Sequence, residues 1–356
     1  MKDHIDRPGA VRNGEQLDLS RVEAFLKDSI PGLEGPLRLE QFPSGASNLT
    51  YLVTCGRRQL ILRRPPFGTK AATAHDMGRE VKVLSALCDH LPFVPRPLAY
   101  CADDAVMGCP FYVMERITGI ILRREMPPGL FASPSELRAL FERFVEVLHE
   151  LHALDYREVG LADLGRPQGD VQRQVLGWSE RYRAARTPDV PDFEAVMEWL
   201  AEKMPPETER AAIIHNDFKF DNVVLDPADP FEIIGVLDWE MCTLGDPLMD
   251  LGSTLGYWVD KDDPPERHVM RTMPTHLEGA LTRRQFVETY GRISGLDMDQ
   301  FDFYYCFGLF RLAVIIQQIY YRYYNGQTTN ERFKMFALGV PILERAATGV
   351  IAASDL

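Results

Sequence analysis

The chain changes period part-way along. Apolar residues Leu19, Val22, Phe25, Leu26 and Ile30 fall at helical spacing, with Asp18 or Ser20 placed to cap and Pro31-Gly32 to stop the helix. Short β-rich runs then predict strands at 37–42, 49–54 and 59–64, followed by a helix over 73–87 with Val81, Leu84 and Leu87 on one face. Further runs at 98–101 and 111–117 complete a five-stranded sheet. Beyond them the period is mostly 3.6. Helices are expected from Ser133 or Ser135 to about 154, then over 170–187, 193–200, 248–258, 283–294, 299–324 and 330–347. One exception is a hairpin, 223–225 with 233–237, around Pro227 and Pro230. The pattern is α+β, a small strand-rich part followed by a larger, mostly helical one. Residues 1–17 are polar and expected to be a disordered tail, and no internal repeat or low-complexity tract interrupts the rest.

Composition narrows the function classes. Across 356 residues the net charge is −13, which argues against a nucleic-acid partner. Six cysteines without a C-x-x-C pair exclude a disulfide scaffold and zinc spacing, and point to a reducing cytoplasm. The first residues, M-K-D-H-I-D-R-P-G-A, lack the apolar stretch of a signal peptide. The most apolar late segment, 309–319, holds Arg311, Gln317 and Gln318, so a soluble protein without membrane contact is expected. His149 and His152 in H-E-L-H are three apart rather than the four a helical zinc pair needs, and read as structural. Residues 170–187 form a basic run with Arg173, Arg181, Arg183 and Arg186 around Trp178 and Tyr182. Such a run is usually one solvated helix face, with an anion-binding patch as the functional reading. No stretch advertises an oligomer interface.

The chemistry concentrates in 213–250, which reads I-I-H-N-D-F-K-F-D-N-V-V-L, then I-I-G-V-L-D-W-E, then G-D-P-L-M-D-L. The hairpin carries Asp217 and Asn222 before its first strand and Asp238 just after its second. A carboxylate base beside oxygen ligands for a hard cation is what phosphoryl transfer requires, since magnesium prefers oxygen and shares its shell with phosphates.

The spacing H-x-D-x-x-x-x-N followed by a strand-end Asp resembles the protein kinase core. L-D-W-E and G-D-P-L-x-D-L look more like the aminoglycoside phosphotransferase and choline kinase superfamily. The resemblance runs from about Leu19 to Arg345. It implies a protein kinase-like two-lobe fold: a nucleotide-binding N-lobe over 18–116 with one main helix, and a catalytic, substrate-binding C-lobe over 117–356. It implies Asp217 as catalytic base, Asn222 and Asp238 as Mg2+ ligands, and His215 and Asp246 as braces of the catalytic loop. Lys219 would contact the transferred phosphate. For ATP it implies the P-S-G-A-S-N loop with Gly45, Ser47 and Asn48, then Ile61 and Arg63 on the third strand, with Glu80 as the partner of that cation. Met114 would be the gatekeeper, and the backbone of Glu115 and Ile117 would meet adenine. Arg63 departs from the usual Lys and adds a planar fork. Asp250 and Glu240 are weaker candidates.

L-R-R-P-P, G-D-V-Q-R-Q-V-L-G-W-S-E-R-Y and V-L-D-W-E-M-C-T-L-G-D-P-L resemble one branch, the kinase-like domain fused ahead of acyl-CoA dehydrogenases. Within these 356 residues no dehydrogenase segment is expected. The branch implies an ATP- and Mg2+-dependent small-molecule kinase whose acceptor is the hydroxyl of a hydroxyacyl-CoA. Two other readings stand beside it. One is a phosphotransferase for aminoglycosides, choline or another small alcohol, favoured only by the acidic loop at 260–263. The other is a catalytically inactive, ligand-binding kinase-like module.

Overall fold

Alternating apolar residues build the sheet, and α1 (Leu19–Ser29) covers one face of it. Strands β1 (Leu37–Gln41), β2 (Leu49–Cys55) and β3 (Arg58–Arg64) form a meander, and β4 (Pro97–Cys101) and β5 (Phe111–Glu115) complete the order β1-β2-β3-β5-β4, antiparallel throughout. The β2–β3 turn is two residues long and uses Gly56 at φ +58°, as a hairpin turn matching strand twist requires. Val22 and Leu26 pack on Tyr51, Val53, Leu60, Leu62, Phe111 and Val113. The period of two sends Ile61 and Arg63 to the opposite face. There α2 (Met77–Leu87), capped by Asp76, packs on β4 and β5, and the short α3 (Asp104–Met107) leads into β5. The computed structural model describes residues 5, 7–42, 48–67, 76–206 and 211–356, so Gly45, Ser47 and the expected helix start at 73 lie outside the described residues.

Two compact units emerge: Met1–Ile121 with Val223–Cys242, and Leu122–Asn222 with Thr243–Leu356. The hairpin of β7 (Val223–Leu225) and β8 (Ile233–Val236), which follows β6 (Ala212–Ile214) in the chain, therefore belongs with the sheet, although the sequence pattern assigned it to the helical part. Backbone bonds explain the difference. Ile120 bridges Leu225, and Val236 N–H donates to Phe93 O at 2.7 Å. Gly119 has no room for a Cβ, which would lie 2.3 Å from Leu225 O. Part of the expected disordered tail is also held. Gly9 bridges Gln41, Arg12 N–H donates to Gln41 Oε1 at 2.9 Å, and Tyr51 Oη donates to Glu15 O at 2.8 Å. An edge strand with unpaired backbone groups supplies the partners.

The second unit is helical: α4 (Pro134–Ala153), α5 (Asp170–Ala185), α6 (Glu194–Glu202), α7 (Pro247–Gly256), α8 (Pro265–Val269), α9 (Arg283–Ser294), α10 (Phe301–Tyr324) and α11 (Phe336–Ala353). β6 pairs with β9 (Thr243–Gly245), a short ladder that the sequence pattern did not show. Helices α7 and α10 cross at glycines, for a Cβ on Gly308 would meet Gly252 O at 1.9 Å. Two stretches among the described residues, Phe301–Tyr324 and Glu331–Ala353, are long and apolar enough to cross a membrane, so Arg311 and the glutamines do not by themselves disqualify the first. Its most apolar window is 78% buried inside the fold, whereas that of the second is 28% buried. Arg311 and Gln317 are buried against partners, Arg311 Nη2 on Asn216 O at 2.8 Å and Gln317 Nε2 on Ala185 O at 2.8 Å.

Candidate active site

In the first unit a charged network lies on the α2 side of the sheet. Arg63, paired in register with Tyr112 and Thr50, is buried and donates from Nη2 to Asp238 Oδ1 at 2.7 Å. Its Nη1 lies 3.3 Å from Glu80 Oε1, and Glu240 Oε2 is 3.7 Å from Nη2. Asn48 Nδ2 donates to Glu240 Oε2 at 2.6 Å. One planar cation thus gathers three carboxylates, which a point-charge Lys would do less well. Burial alone would lower the Arg63 pKa, but Glu80 and Asp238 outweigh it and raise it. Burial lifts the Glu80 carboxyl above its ordinary value, against the pull of Arg63. Asp238 takes φ +68°, a left-handed turn at the end of the hairpin that aims its carboxylate at Arg63.

Ile61 faces Met114 across β3 and β5, and both are buried. Glu115 N–H donates to Arg96 O at 2.9 Å, so a nucleobase could meet only its carbonyl, whereas among the described residues no bond takes up Ile117 N–H. The Ile117 side chain lies against Gly235 and the β7–β8 hairpin.

In the second unit the segment after β6 alternates. Phe218 and Phe220 point into an aromatic cluster with Phe141, Phe144 and Trp258. That anchoring leaves Asp217, Lys219 and Asp221 less buried. Lys219 Nζ is 2.9 Å from Asp217 Oδ1, and Asn222 Nδ2 donates to Asp217 Oδ2 at 2.9 Å and to Asp217 O at 2.8 Å. The Asn222 amide is thereby oriented with its oxygen uncommitted among the described residues. Burial would lower the Lys219 pKa, but Tyr257 and Asp217 hold it above its ordinary value. Tyr257, at the end of α7, presents its ring 5.0 Å from Lys219 Nζ. No motif pointed to it, because an aromatic residue at a helix end is ordinary core.

The brace of this loop is Asp250, not Asp246. Asp250 is fully buried, and its oxygens accept from His215 N at 2.6 Å, Asn216 N at 2.8 Å and His152 Nε2 at 3.1 Å. His152 also meets Tyr290 Oη at 2.7 Å. Burial would raise the Asp250 carboxyl, but the His152 bond and the two histidines hold it below its ordinary value. Asp246 instead caps α7 through Leu248 N–H at 2.8 Å and accepts from Tyr304 Oη at 3.1 Å, and burial lifts its pKa. The correction has a simple cause. The D-P pair places Asp246 at the helix N-cap, and Asp250 one turn later is the residue that faces the loop. His215, fully buried, accepts Asp217 N–H on Nδ1 at 3.2 Å.

A family described as the phosphotransferase enzyme family matches residues 38–287. The chain belongs to it. This phosphotransferase is 37% identical over 333 residues to acyl-CoA dehydrogenase family member 10 of Mus musculus, covering 92% of this chain and 31% of the relative, so it spans about a third of that protein. A solved structure of a candidate aminoglycoside phosphotransferase from Ralstonia eutropha JMP134 covers 96% of this chain and 100% of its own at TM-score 0.81 and 27% identity. Choline kinase from Cryptosporidium parvum shares the fold at TM-score 0.65 and 11% identity, covering 94% and 97%. The two-lobe, kinase-like architecture and a phosphotransferase activity on an alcohol group follow from family membership.

The phosphotransferase carries its cations beside the Asp217 loop. Arg311 of α10, on the carbonyl of Asn216, also lies 5.1 Å from the Trp178 ring, and Arg181 lies 4.8 Å from the same ring. The other arginines of α5 differ. Arg183 is spent on Glu194 at 2.5 Å, and Arg173 on the carbonyls of Arg166 and Gln168. Two acids of the acidic loop are engaged, since Asp263 pairs with Arg283 at 2.5 Å and Asp260 with the same guanidinium at 3.4 Å. Burial would raise Asp263, but Arg283 holds it below its ordinary value.

Proposed function

We propose that this phosphotransferase is an ATP- and magnesium-dependent kinase that phosphorylates the hydroxyl of an acyl-CoA-linked substrate. The observation that supports the acceptor class is Arg181, exposed on α5 and stacked on the Trp178 ring. An exposed guanidinium on an aromatic face suits a phosphate-rich ligand and repels a polycation. The aminoglycoside reading rested on Asp260 and Asp263, and Arg283 already occupies both. The name of the mouse relative supports the same class.

Asp217 would orient the acceptor hydroxyl and take its proton as the oxygen attacks, and Lys219 would neutralise the moving phosphoryl group. Asn222 and Asp238 would hold magnesium. Each is an oxygen donor of the kind a hard ion takes: the amide oxygen of Asn222, uncommitted among the described residues, and the carboxylate of Asp238. When bound, the ion would draw negative charge from the phosphate oxygens. Arg63, set by Glu80, would face the phosphates of ATP, with Asn48 and the Gly45–Ser47 loop. Ile61 and Met114 would line the adenine site, and the Glu115 carbonyl and Ile117 N–H would meet the base. The cell compartment proposed is the cytoplasm.

The test is magnesium-dependent transfer of labelled γ-phosphate to hydroxyacyl-CoAs, aminoglycosides and choline, with Asp217→Asn in parallel. Label on a hydroxyacyl-CoA, lost in the variant, is expected. Label on an aminoglycoside or choline alone would overturn the acceptor class.

A further inference from the structure

Asp217 is held by two donors before any hydroxyl arrives. Lys219 Nζ lies 2.9 Å from each of its carboxylate oxygens, and Asn222 Nδ2 is 2.9 Å from Oδ2. Three of its roughly four acceptor sites are thus taken, and an acceptor hydroxyl competes with the donors that hold them. Asn222 is fixed by a second bond, to the backbone oxygen of Asp217, so the ammonium on its flexible stem is the group that can leave.

A place for it lies two residues on. Asp221 is half-buried, and no hydrogen bond reaches its carboxylate among the described residues. Its Oδ1 is shielded from solvent and unpartnered, an arrangement that folded proteins rarely keep without a use. The charges facing Asp221 are Lys219 and Arg123, which attract it, and Asp217, which repels it. Lys219 in turn feels both carboxylates and rests on the Tyr257 ring. We propose that Asp221 is a positioning residue, a second seat that takes the Lys219 ammonium from Asp217 when the acceptor hydroxyl arrives. Asp217 is thus masked in the empty site and exposed in the loaded one. No covalent bond changes, and only the lysine rotamer does. The idea rests on Asp217 being the base, as proposed above.

A double-mutant cycle tests it, read first as magnesium-ATP hydrolysis without acceptor, where water takes the hydroxyl's place. Asp221→Asn is expected to lower kcat about tenfold, within the range of couplings between neighbouring charges, and to leave KM for ATP unchanged. Asp221→Glu should recover part of the loss. In a Lys219→Met background Asp221→Asn should have no further effect, because the residue acts only through the lysine. Its melting temperature should not fall, since the lost carboxylate made no bond. Independent, multiplying effects of the two substitutions would overturn the second seat, and so would a lowered melting temperature that accounts for the lost activity. Asp217→Asn separates the two ideas. Hydrolysis undiminished in that variant would overturn the functional reading itself, whereas an abolished rate with a multiplying cycle would overturn the second seat alone.

Discussion

Asp250 should carry the catalytic loop, and removing its acceptors should be costly in a calculable way. Its oxygens serve His215 N–H, Asn216 N–H and His152 Nε2 in a fully buried setting. Asparagine keeps one acceptor oxygen, so one buried N–H is left without a partner, worth about 1–3 kcal/mol. Alanine orphans both backbone N–H groups, for about 2–6 kcal/mol, and also removes the partner of His152 Nε2. In a domain of this size each kcal/mol moves Tm by about 2–4 °C. The sign with pH follows from the depressed folded pKa. The folded carboxyl binds its proton less tightly than the unfolded one, so its stabilisation is complete above the unfolded value of about 3.9 and disappears as pH falls through the folded value. Urea unfolding of wild type and Asp250→Asn between pH 7 and pH 3, followed by tryptophan fluorescence, should show a gap that is full at pH 7 and narrows below about pH 4. Phosphotransfer should fall mainly in kcat, because the loop carries Asp217. A wild-type midpoint for Asp250→Asn, or a gap that stays constant across that range, would refute the brace.

Arg63→Met should destabilise by about 3–5 kcal/mol, because Glu80, Asp238 and Glu240 lose their shared cation, whereas Arg63→Lys should be milder and raise KM for ATP; unfolding curves and initial rates check both. Gly308→Ala places a methyl 1.9 Å from Gly252 O and should cost at least about 1–3 kcal/mol as α7 and α10 separate, measured by thermal unfolding. Arg181→Met should raise KM for an acyl-CoA acceptor about tenfold or more, the size of a lost charge-assisted bond, and leave KM for ATP unchanged. Equal effects on both substrates would remove Arg181 from acceptor binding.

The sheet, the hairpin and most helices were legible because each rests on local signals: alternation, caps and turn residues. The α9 bounds match at both ends, since Thr282 with Gln285 forms a capping box and Gly295 closes the helix. The grouping of the hairpin with the sheet was not legible. It depends on Ile120 meeting Leu225 across more than a hundred residues. At the site, two of the residue pairs that the motif named are in contact, Arg63 on Asp238 and Asn222 on Asp217. His152 was read as structural and Asp250 as a weaker candidate, but that Asp250 braces the loop and that Tyr257 meets Lys219 was hidden, because support from behind a loop leaves no spacing rule in the chain.

Charge shows the same limit from the other side, and it bears on the acceptor. In the sequence the acidic loop and the basic helix were opposite hints, since a list of residues shows charges but not their partners. In the fold Arg283 pairs with both Asp260 and Asp263, Glu194 pairs with Arg183, and backbone carbonyls hold Arg173. Arg181 stays exposed on the Trp178 ring, whereas Arg311, beside the same ring, is buried and bonded to Asn216 O. A cation stacked on an aromatic face keeps more of its N–H donors in play than one in a bidentate ion pair, and here that describes Arg181. A charge already neutralised inside the fold has little field left to select a ligand. The selection beside Asp217 should therefore be for anions, despite a net charge of −13. Raising the salt concentration should then weaken acceptor binding rather than strengthen it. A KM for the acceptor that falls as salt rises would mean that the overall negative field, not the Trp178 stack, governs what this enzyme takes.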